Sequence, residues 1–288
     1  MAMAPALSVP SIGQTELEAL LRLAHEAGGV SFAADKIDFL QLRLTPRLRE
    51  TDCADFQAYV SLLRDPGAEE ERQRFVEALA IHTTSFFREA RHYTWMAEKG
   101  LPMLVEEMGS QSRPLVLWSA ACSTGAEIWS AAMVIEDFRH AGRGLPWEAI
   151  GTDISSAILR RAASGVFTEE EIAGISDDRR RRFLLRRRAD RVGRGDGELY
   201  RIVPELRQRV RFLQANLLRL DETSSFSADI AFLRNVLIYF SPADRLAVAA
   251  AVARRLRPGG FLLTGHSESF GREVAGLEQV GAAIYRRT

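Results

Sequence analysis

The chain has 288 residues, 47% apolar and 26% charged, a balance that supports a buried core and excludes the low-hydrophobicity, high-charge composition of disordered chains. Basic and acidic side chains both number 38, so the formal net charge is zero; no nucleic-acid partner is expected, and attraction for any charged partner must come from local patches. No apolar run reaches the roughly 18 to 20 residues that span a bilayer, and the opening MAMAPALSVPSIG lacks a charged n-region, so a cytoplasmic chain without membrane insertion is expected.

Cys53 and Cys122 lie far apart and outside any CxxC or histidine spacing, so neither a disulfide nor a metal centre is expected. Cys122 reads as a small packing residue. One or two domains fit the length.

Residues 11 to 80 read as a small helical domain. Thr15 and Glu18 form a capping-box pattern ahead of Leu17, Leu20, Leu21 and Ala24, and Gly28 occupies the expected left-handed C-terminal cap. Asp35 is placed to cap a second helix bearing Ile37, Leu40 and Leu44, with Arg43, Arg47 and Arg49 in or just after it. Phe56, Tyr59, Val60 and Leu63 follow helical spacing up to Pro66, and Phe75, Val76 and Leu79 mark a fourth helix. Residues 81 to 113 read as a helical linker that contributes to the site.

After Pro114 the pattern alternates. Short apolar runs at Leu115 to Ala120, Trp147 to Gly151, Val210 to Leu213, Ile230 to Leu233 and Phe261 to Thr264 are separated by helical stretches, one of them opened by Pro242 and closed before Pro258. That alternation indicates βαβ units, hence an α/β fold with a doubly wound, mostly parallel sheet over residues 114 to 288. Val280 to Tyr285 returns after a short excursion and is expected to be antiparallel. Residues 165 to 209 break the alternation with Arg179 to Arg182, Arg186 to Arg188 and the turn-rich Gly193, Gly195 and Gly197, which suggests an inserted hairpin.

Ligands of open parallel sheets bind beyond the carboxyl ends of the strands. Four segments of this chain fall there. Ala121 to Glu127 joins the first strand to its helix without the GxGxxG or P-loop glycines, so it offers no phosphate cradle; Glu127 instead favours a cationic ligand with an amino-acid end. Asp153 ends the second strand and suits the two hydroxyls of a ribose, or else caps the next helix, which Ser155 does equally well. Asn216 is placed to read an adenine edge or to form a turn. Arg234 and Asn235 end the fourth strand, and Tyr239 follows them either at the mouth of the sheet or packed in the core.

The stretches TTSFFRE (83 to 89), AACSTGAE, GTDIS, QANLL, FLRNVLIYF and GHSESF, in this order, resemble the CheR family of chemotaxis receptor glutamate methyltransferases. The likeness covers nearly the whole chain. It implies the fold of S-adenosylmethionine-dependent methyltransferases with a helical N-terminal domain and an inserted hairpin. S-Adenosylmethionine would be the donor, receptor glutamates the acceptors, and S-adenosylhomocysteine the product.

Carried onto this sequence, the resemblance implies cofactor contacts at His82, Thr84, Arg88, Glu127, Asp153, Asn216, Leu217, Arg234 and Asn235, with Arg88 and Tyr239 beside the reacting methyl. The family commonly has Asn where His82 stands, and Ala126, Ile128 and Trp129 replace three positions of its GEEPYS or GQEPYS loop. The resemblance also implies a partner, the cytoplasmic helical region of chemoreceptors. Arg43, Arg47 and the Arg179 to Arg188 region would meet it, unless they are solvated helix faces. A monomer is expected. His266 either orders the site or is structural. Two other classes fit parts of the pattern: a cofactor-binding sensor without turnover, and a Rossmann oxidoreductase, which the missing dinucleotide glycines disfavour.

Overall fold

The structure is a computed structural model that describes residues 11–32, 34–109, 113–143, 146–187, 197–223, 225–270 and 273–288. It divides into two compact units, residues up to Ile81 with Tyr239–Asp244, and His82–Ile238 with Arg245–Thr288.

The smaller unit is built on α1 (Gln14–Gly28), α2 (Ile37–Glu50), α3 (Phe56–Arg64) and α4 (Glu69–Leu79). Its core is the set of helical faces expected from spacing: Leu17, Leu20 and Ala24; Leu40 and Leu44; Phe56, Tyr59, Val60 and Leu63; Phe75, Val76 and Leu79. The caps differ from expectation. Thr15 lies inside the first turn of α1, so no capping box forms and Gly13 is the N-cap. The left-handed cap is Gly29, with φ 70°. Gly28 is instead the last helical residue, where a Cβ would come within 2.5 Å of Val76 Cγ1. Asp35 sits within a 3-10 turn, Ala34–Lys36, and does not cap α2.

Arg47 also differs. It is buried, its Nε donating to Glu71 Oε1 at 3.0 Å while its terminal nitrogens pair with Glu71 and Glu50. Tyr59 donates its hydroxyl to the same Glu71 oxygen at 2.7 Å. Packing of α2 on α4 turns this arginine into an interior ion pair, so it presents no cation to a partner; Arg43 and Arg49 remain exposed. Burial and the Glu71 bond push the Tyr59 phenol well above its ordinary range.

The larger unit starts with an irregular stretch, residues 82–89, so the expected helical linker is helical only from α5 (Ala90–Trp95) through a π turn, Met96–Gly100, into α6 (Leu101–Met108). Then follow β1 (Leu115–Ser119), α7 (Ala126–Phe138), β2 (Trp147–Asp153), α8 (Ser156–Ser164), β3 (Val166–Thr168), α9 (Asp177–Phe183), β4 (Leu184–Arg187), β5 (Leu199–Ile202), α10 (Pro204–Arg207), β6 (Val210–Gln214), β7 (Ala228–Leu233), α11 (Pro242–Arg255), β8 (Leu256–Thr264), β9 (Leu277–Gly281) and β10 (Ile284–Arg287). The main sheet has the order β6-β2-β1-β7-β8-β10-β9. Its first five strands are parallel, and β10 pairs antiparallel with β8 and β9. The closing segment is therefore a hairpin rather than the single run expected from Val280 to Tyr285.

Every residue of β1 and β7 is buried, as continuous apolar runs between helical layers require. At the amino edge Asp229 fixes the register of β1, accepting from Val116 N–H at 2.8 Å and pairing with Arg113 and Arg257 at 2.8 and 2.9 Å.

The insertion is a three-stranded antiparallel sheet, β3-β5-β4, with α9 ahead of its β4–β5 pair. Gly193, Gly195 and Arg188 of the expected hairpin lie outside the described residues. The arginine run of α9 is tied down by this chain's own acids: Arg179 and Arg182 both reach Asp137, at 2.8 and 2.6 Å, and Arg180 reaches Glu169 at 2.9 Å. Arg179 also stacks 4.5 Å from the Phe87 ring centroid. Arg181 is the most exposed of the four, 71% of its side chain facing solvent.

Candidate functional site

The sheet reverses its winding at β1, which has β2 on one side and β7 on the other. The loops that leave β1 and β7 part in opposite directions, which opens a crevice at the carboxyl edge. The polar strand-end residues meet there.

The loop after β1 is held in a tight turn by Gly125, φ 92°, and by the Cys122 N–H, which donates to Thr152 O at 2.8 Å. Cys122 itself is fully buried, as expected of a packing residue, and burial pushes its thiol well above the ordinary range. The turn aims Ser123 at both neighbouring elements: its N–H donates to Asp153 Oδ2 at 2.9 Å and its hydroxyl to His82 O at 2.8 Å.

Asp153 is 6% exposed and its Oδ1 accepts from Ser155 N–H at 3.1 Å. The capping role goes to Ser155, whose hydroxyl accepts from Ile158 N–H. A carboxylate offers about four lone-pair sites, and besides these two amides the Ile154 amide and the His82 ring act on this one. Burial raises the Asp153 pKa, while the Ser155 amide pulls it back. Across β2 and β6, Ala215 N–H donates to Asp153 O at 2.9 Å, which places Asn216 and the buried Leu217 next to Asp153. Asn216 Oδ1 accepts from Leu218 N–H at 3.0 Å, opening the 3-10 turn Leu217–Glu222.

On the β7 side the structure differs from expectation. Arg234 is buried in place of facing the mouth of the sheet. Its Nη1 donates to Glu127 Oε2 and Tyr93 Oη, both at 3.3 Å, and its Nη2 reaches Arg88 O and lies 3.4 Å from Glu89 Oε2. Glu127 also accepts from the Ser119 hydroxyl at 2.7 Å. Burial raises the Glu127 pKa in spite of Arg234. Glu89 is held low, chiefly by Arg234 against the opposing effect of burial.

Arg234 thereby ties residues 82–89 to the sheet. Two further bonds hold the same segment: Phe87 N–H donates to Ser130 Oγ at 2.9 Å, and the Ser123 hydroxyl holds His82 O. Thr84 and Arg88 are half-buried within it, and Arg88 Nη1 donates to Thr83 O at 3.1 Å. Asn235 has φ 57° and donates from Nδ2 to Glu89 Oε1 at 3.3 Å. Tyr239 ends the 3-10 turn Leu237–Tyr239 and is half-buried; its carbonyl accepts from Ser31 N–H at 2.7 Å within the helical unit.

Sequence reasoning missed Glu89, Tyr93 and His92. Burial and the nearby Arg234 depress the His92 pKa to about 4, which keeps this ring neutral. Glu89, His92 and His266 bring metal-capable atoms within 4.8 Å of one another. Arg234, a fixed cation 3.4 Å from the same Glu89 oxygen, opposes a metal ion there.

A buried aspartate ending β2, a polar turn after β1 and an asparagine after β6 are gathered at the switch point of an α/β sheet, the place where such folds take nucleoside-type ligands. The comparisons are narrower. Residues 82–285 match "CheR methyltransferase, SAM binding domain" and residues 15–80 match "CheR methyltransferase, all-alpha domain", so the chain belongs to the CheR methyltransferase family. It is 31% identical over 276 residues to the chemotaxis protein methyltransferase of Escherichia coli, covering 96% of this chain and 91% of that one. It is 34% identical over 258 residues to chemotaxis protein methyltransferase 2 of Pseudomonas aeruginosa, covering 89% and 87%. To the chemotaxis protein methyltransferase of Borreliella burgdorferi it is 27% identical over 281 residues, covering 96% and 95%. The chain is an S-adenosylmethionine-dependent methyltransferase.

Proposed function

We propose that the acceptors are glutamate side chains on the cytoplasmic helices of chemoreceptors and the products γ-glutamyl methyl esters. The acceptor part rests on the likeness to chemotaxis protein methyltransferases, and the cofactor part on the buried group Glu127, Arg234 and Glu89, in which two carboxylates face one guanidinium. That excess of negative charge suits the sulfonium end of S-adenosylmethionine. Asp153, buried at the end of β2, suits its ribose. The bound cofactor supplies an electrophilic methyl: the acceptor oxygen forms the new C–O bond as the S–C bond breaks, and the electron pair stays on sulfur.

A glutamate is ionised near neutrality, with a reference pKa of about 4.3, so the site needs no general base. Its work is positioning, which contributes roughly 7 to 11 kcal/mol when the reacting atoms are held in line. Arg88 orients the incoming carboxylate, and Tyr239 aligns the methyl. His82, Thr84, Asn216, Leu217 and Asn235 complete the cofactor contacts, and Arg234 contributes by holding Glu127 and the Arg88 backbone. The exposed Arg43 and Arg181 meet the acidic receptor helix.

Product chemistry tests the reading. Label from tritiated cofactor, transferred to a receptor cytoplasmic domain, should become volatile in mild alkali and map to glutamate. It should also vanish with Arg88→Ala or Tyr239→Ala at saturating cofactor. Base-stable label would refute glutamate as the acceptor.

A further inference from the structure

The GHSESF stretch is part of the family resemblance, yet none of its residues has a role in the cofactor or acceptor contacts above. Its glutamate is 5% exposed. Glu268 Oε2 accepts from Asn235 N–H at 2.6 Å and from Gly265 N–H at 2.9 Å, and Oε1 accepts from Ile238 N–H at 3.3 Å. One buried carboxylate thus binds three backbone amides from two loops, those that leave β7 and β8.

We propose that Glu268 is a positioning residue for methyl transfer, fixing the backbone that carries Asn235 and leads into Tyr239. The inference rests on the methyltransferase reading given above. Charge-assisted bonds to backbone amides are roughly twice as strong as neutral ones, and this loop needs such an anchor. Asn235 adopts a left-handed conformation, φ 57°, that non-glycine residues seldom hold without support from their surroundings. Its side chain and that of Arg234 contact the same acid: Asn235 Nδ2 donates to Glu89 Oε1 at 3.3 Å and Arg234 Nη2 lies 3.4 Å from Glu89 Oε2. A rotation of this peptide would therefore move a proposed cofactor contact and strain the Glu89 and Arg234 pairing together.

The spacing of the motif follows from the same contact. A Cβ on Gly265 would lie 2.4 Å from Glu268 Oε2 and 3.2 Å from Asn235 N, so only glycine lets the carboxylate close on the loop. His266 is half exposed and lies 3.9 Å from Glu89, beside the anchor and outside it.

The test compares the full-length wild type with Glu268→Ala, Glu268→Gln and Gly265→Ala. The measurements are kcat and KM on a receptor cytoplasmic domain, S-adenosylhomocysteine affinity by calorimetry, and amide hydrogen exchange by residue. Glu268→Ala should lower kcat roughly tenfold to a hundredfold, the cost of misplacing a reacting group by about 1 Å, with a smaller loss of S-adenosylhomocysteine affinity and little change in KM. Exchange should accelerate at Asn235, Ile238 and Gly265 while the rest of the sheet stays protected. Glu268→Gln keeps an acceptor for two of the three amides and should fall between, and Gly265→Ala, which displaces the carboxylate, should reproduce Glu268→Ala. Unchanged exchange at these amides overturns the anchor. A kcat loss that only tracks uniformly faster exchange overturns the positioning role. If the wild type methylates no receptor domain, the acceptor reading fails, and the exchange data still decide whether Glu268 holds the loop.

Discussion

Asp153 is the sharpest point at which to test cofactor binding, because its loss has separate readouts in affinity and in stability. Its two oxygens each accept one backbone amide, from Ser123 and Ser155, at 2.9 and 3.1 Å. On the proposed reading, removing the carboxylate takes away the ribose acceptor, a hydrogen bond to a charged group worth about 1.5 to 3 kcal/mol, or roughly 10- to 150-fold in affinity. It also strands two buried amides, at about 1 to 3 kcal/mol each. Asp153→Ala should therefore weaken S-adenosylhomocysteine binding by that factor in calorimetry and lower the melting temperature by several degrees.

Asp153→Asn is the control. Its single carbonyl oxygen satisfies one amide and its amide nitrogen opposes the other, so it should recover part of the stability and little of the affinity. The pH dependence has a definite sign. The Asp153 pKa lies above the ordinary 3.8 because burial disfavours the charge, so the folded chain holds this proton more tightly than the unfolded one. Ionising Asp153 then costs stability as pH rises through its folded pKa. Ribose hydroxyls donate to the ionised form, so cofactor affinity should fall as pH is lowered toward that pKa, and Asp153→Asn should abolish the dependence. Cofactor affinity unchanged in Asp153→Ala, with the melting temperature reduced, would refute the ribose assignment and leave Asp153 as a turn-forming residue.

Two further outcomes concern the arginines. Arg47→Ala should cost about 3 to 5 kcal/mol in urea unfolding, since it leaves Glu71 buried and uncompensated, whereas Arg43→Ala should stay within about 0.5 kcal/mol; a normal unfolding midpoint for Arg47→Ala would show the interior assignment to be wrong. Arg181→Ala should leave cofactor affinity and melting temperature alone while weakening receptor association and flattening its salt dependence, whereas Arg179→Ala, which loses both Asp137 and the Phe87 ring, should destabilise the larger unit by about 1 kcal/mol. Receptor association in Arg181→Ala equal to wild type at low salt would remove α9 from the docking surface.

Much of the fold was legible because its signals are local. The parallel strands are continuous apolar runs, and the buried faces of α1 to α4 follow helical spacing, with Leu21 and Ile37 of the expected faces only half-buried. The misread features depend on tertiary contact. Thr15 and Glu18 have the spacing of a capping box, but the helix begins two residues earlier, with Gly13 as its N-cap. Gly28 was placed in a cap, yet its missing side chain serves the approach of Val76. Arg47 has the sequence character of a surface arginine on a mixed helix, and only the arrival of Glu71 from α4 makes it interior.

The site divides along the same line. Glu127, Asp153, Asn216 and Asn235 lie at the carboxyl edge as chain position implies, because each ends a strand or stands in the segment that follows one. Arg234 was found by position and misjudged in role, because its neighbours Glu89 and Tyr93 come from a segment that precedes the whole sheet. Glu89 and Glu268 did carry a signal: each is the acid inside a short motif, TTSFFRE and GHSESF, whose remaining polar residues do not account for it. Arg234 joins Glu127 to Glu89, and Glu268 joins the β7 loop to the β8 loop, so on the proposed reading the charge beside the sulfonium and the backbone beside the reacting methyl are both set by bonds between loops. Such bonds have no periodicity to read, so chain position points to the polar residues at the strand ends and not to the residues that hold them in place.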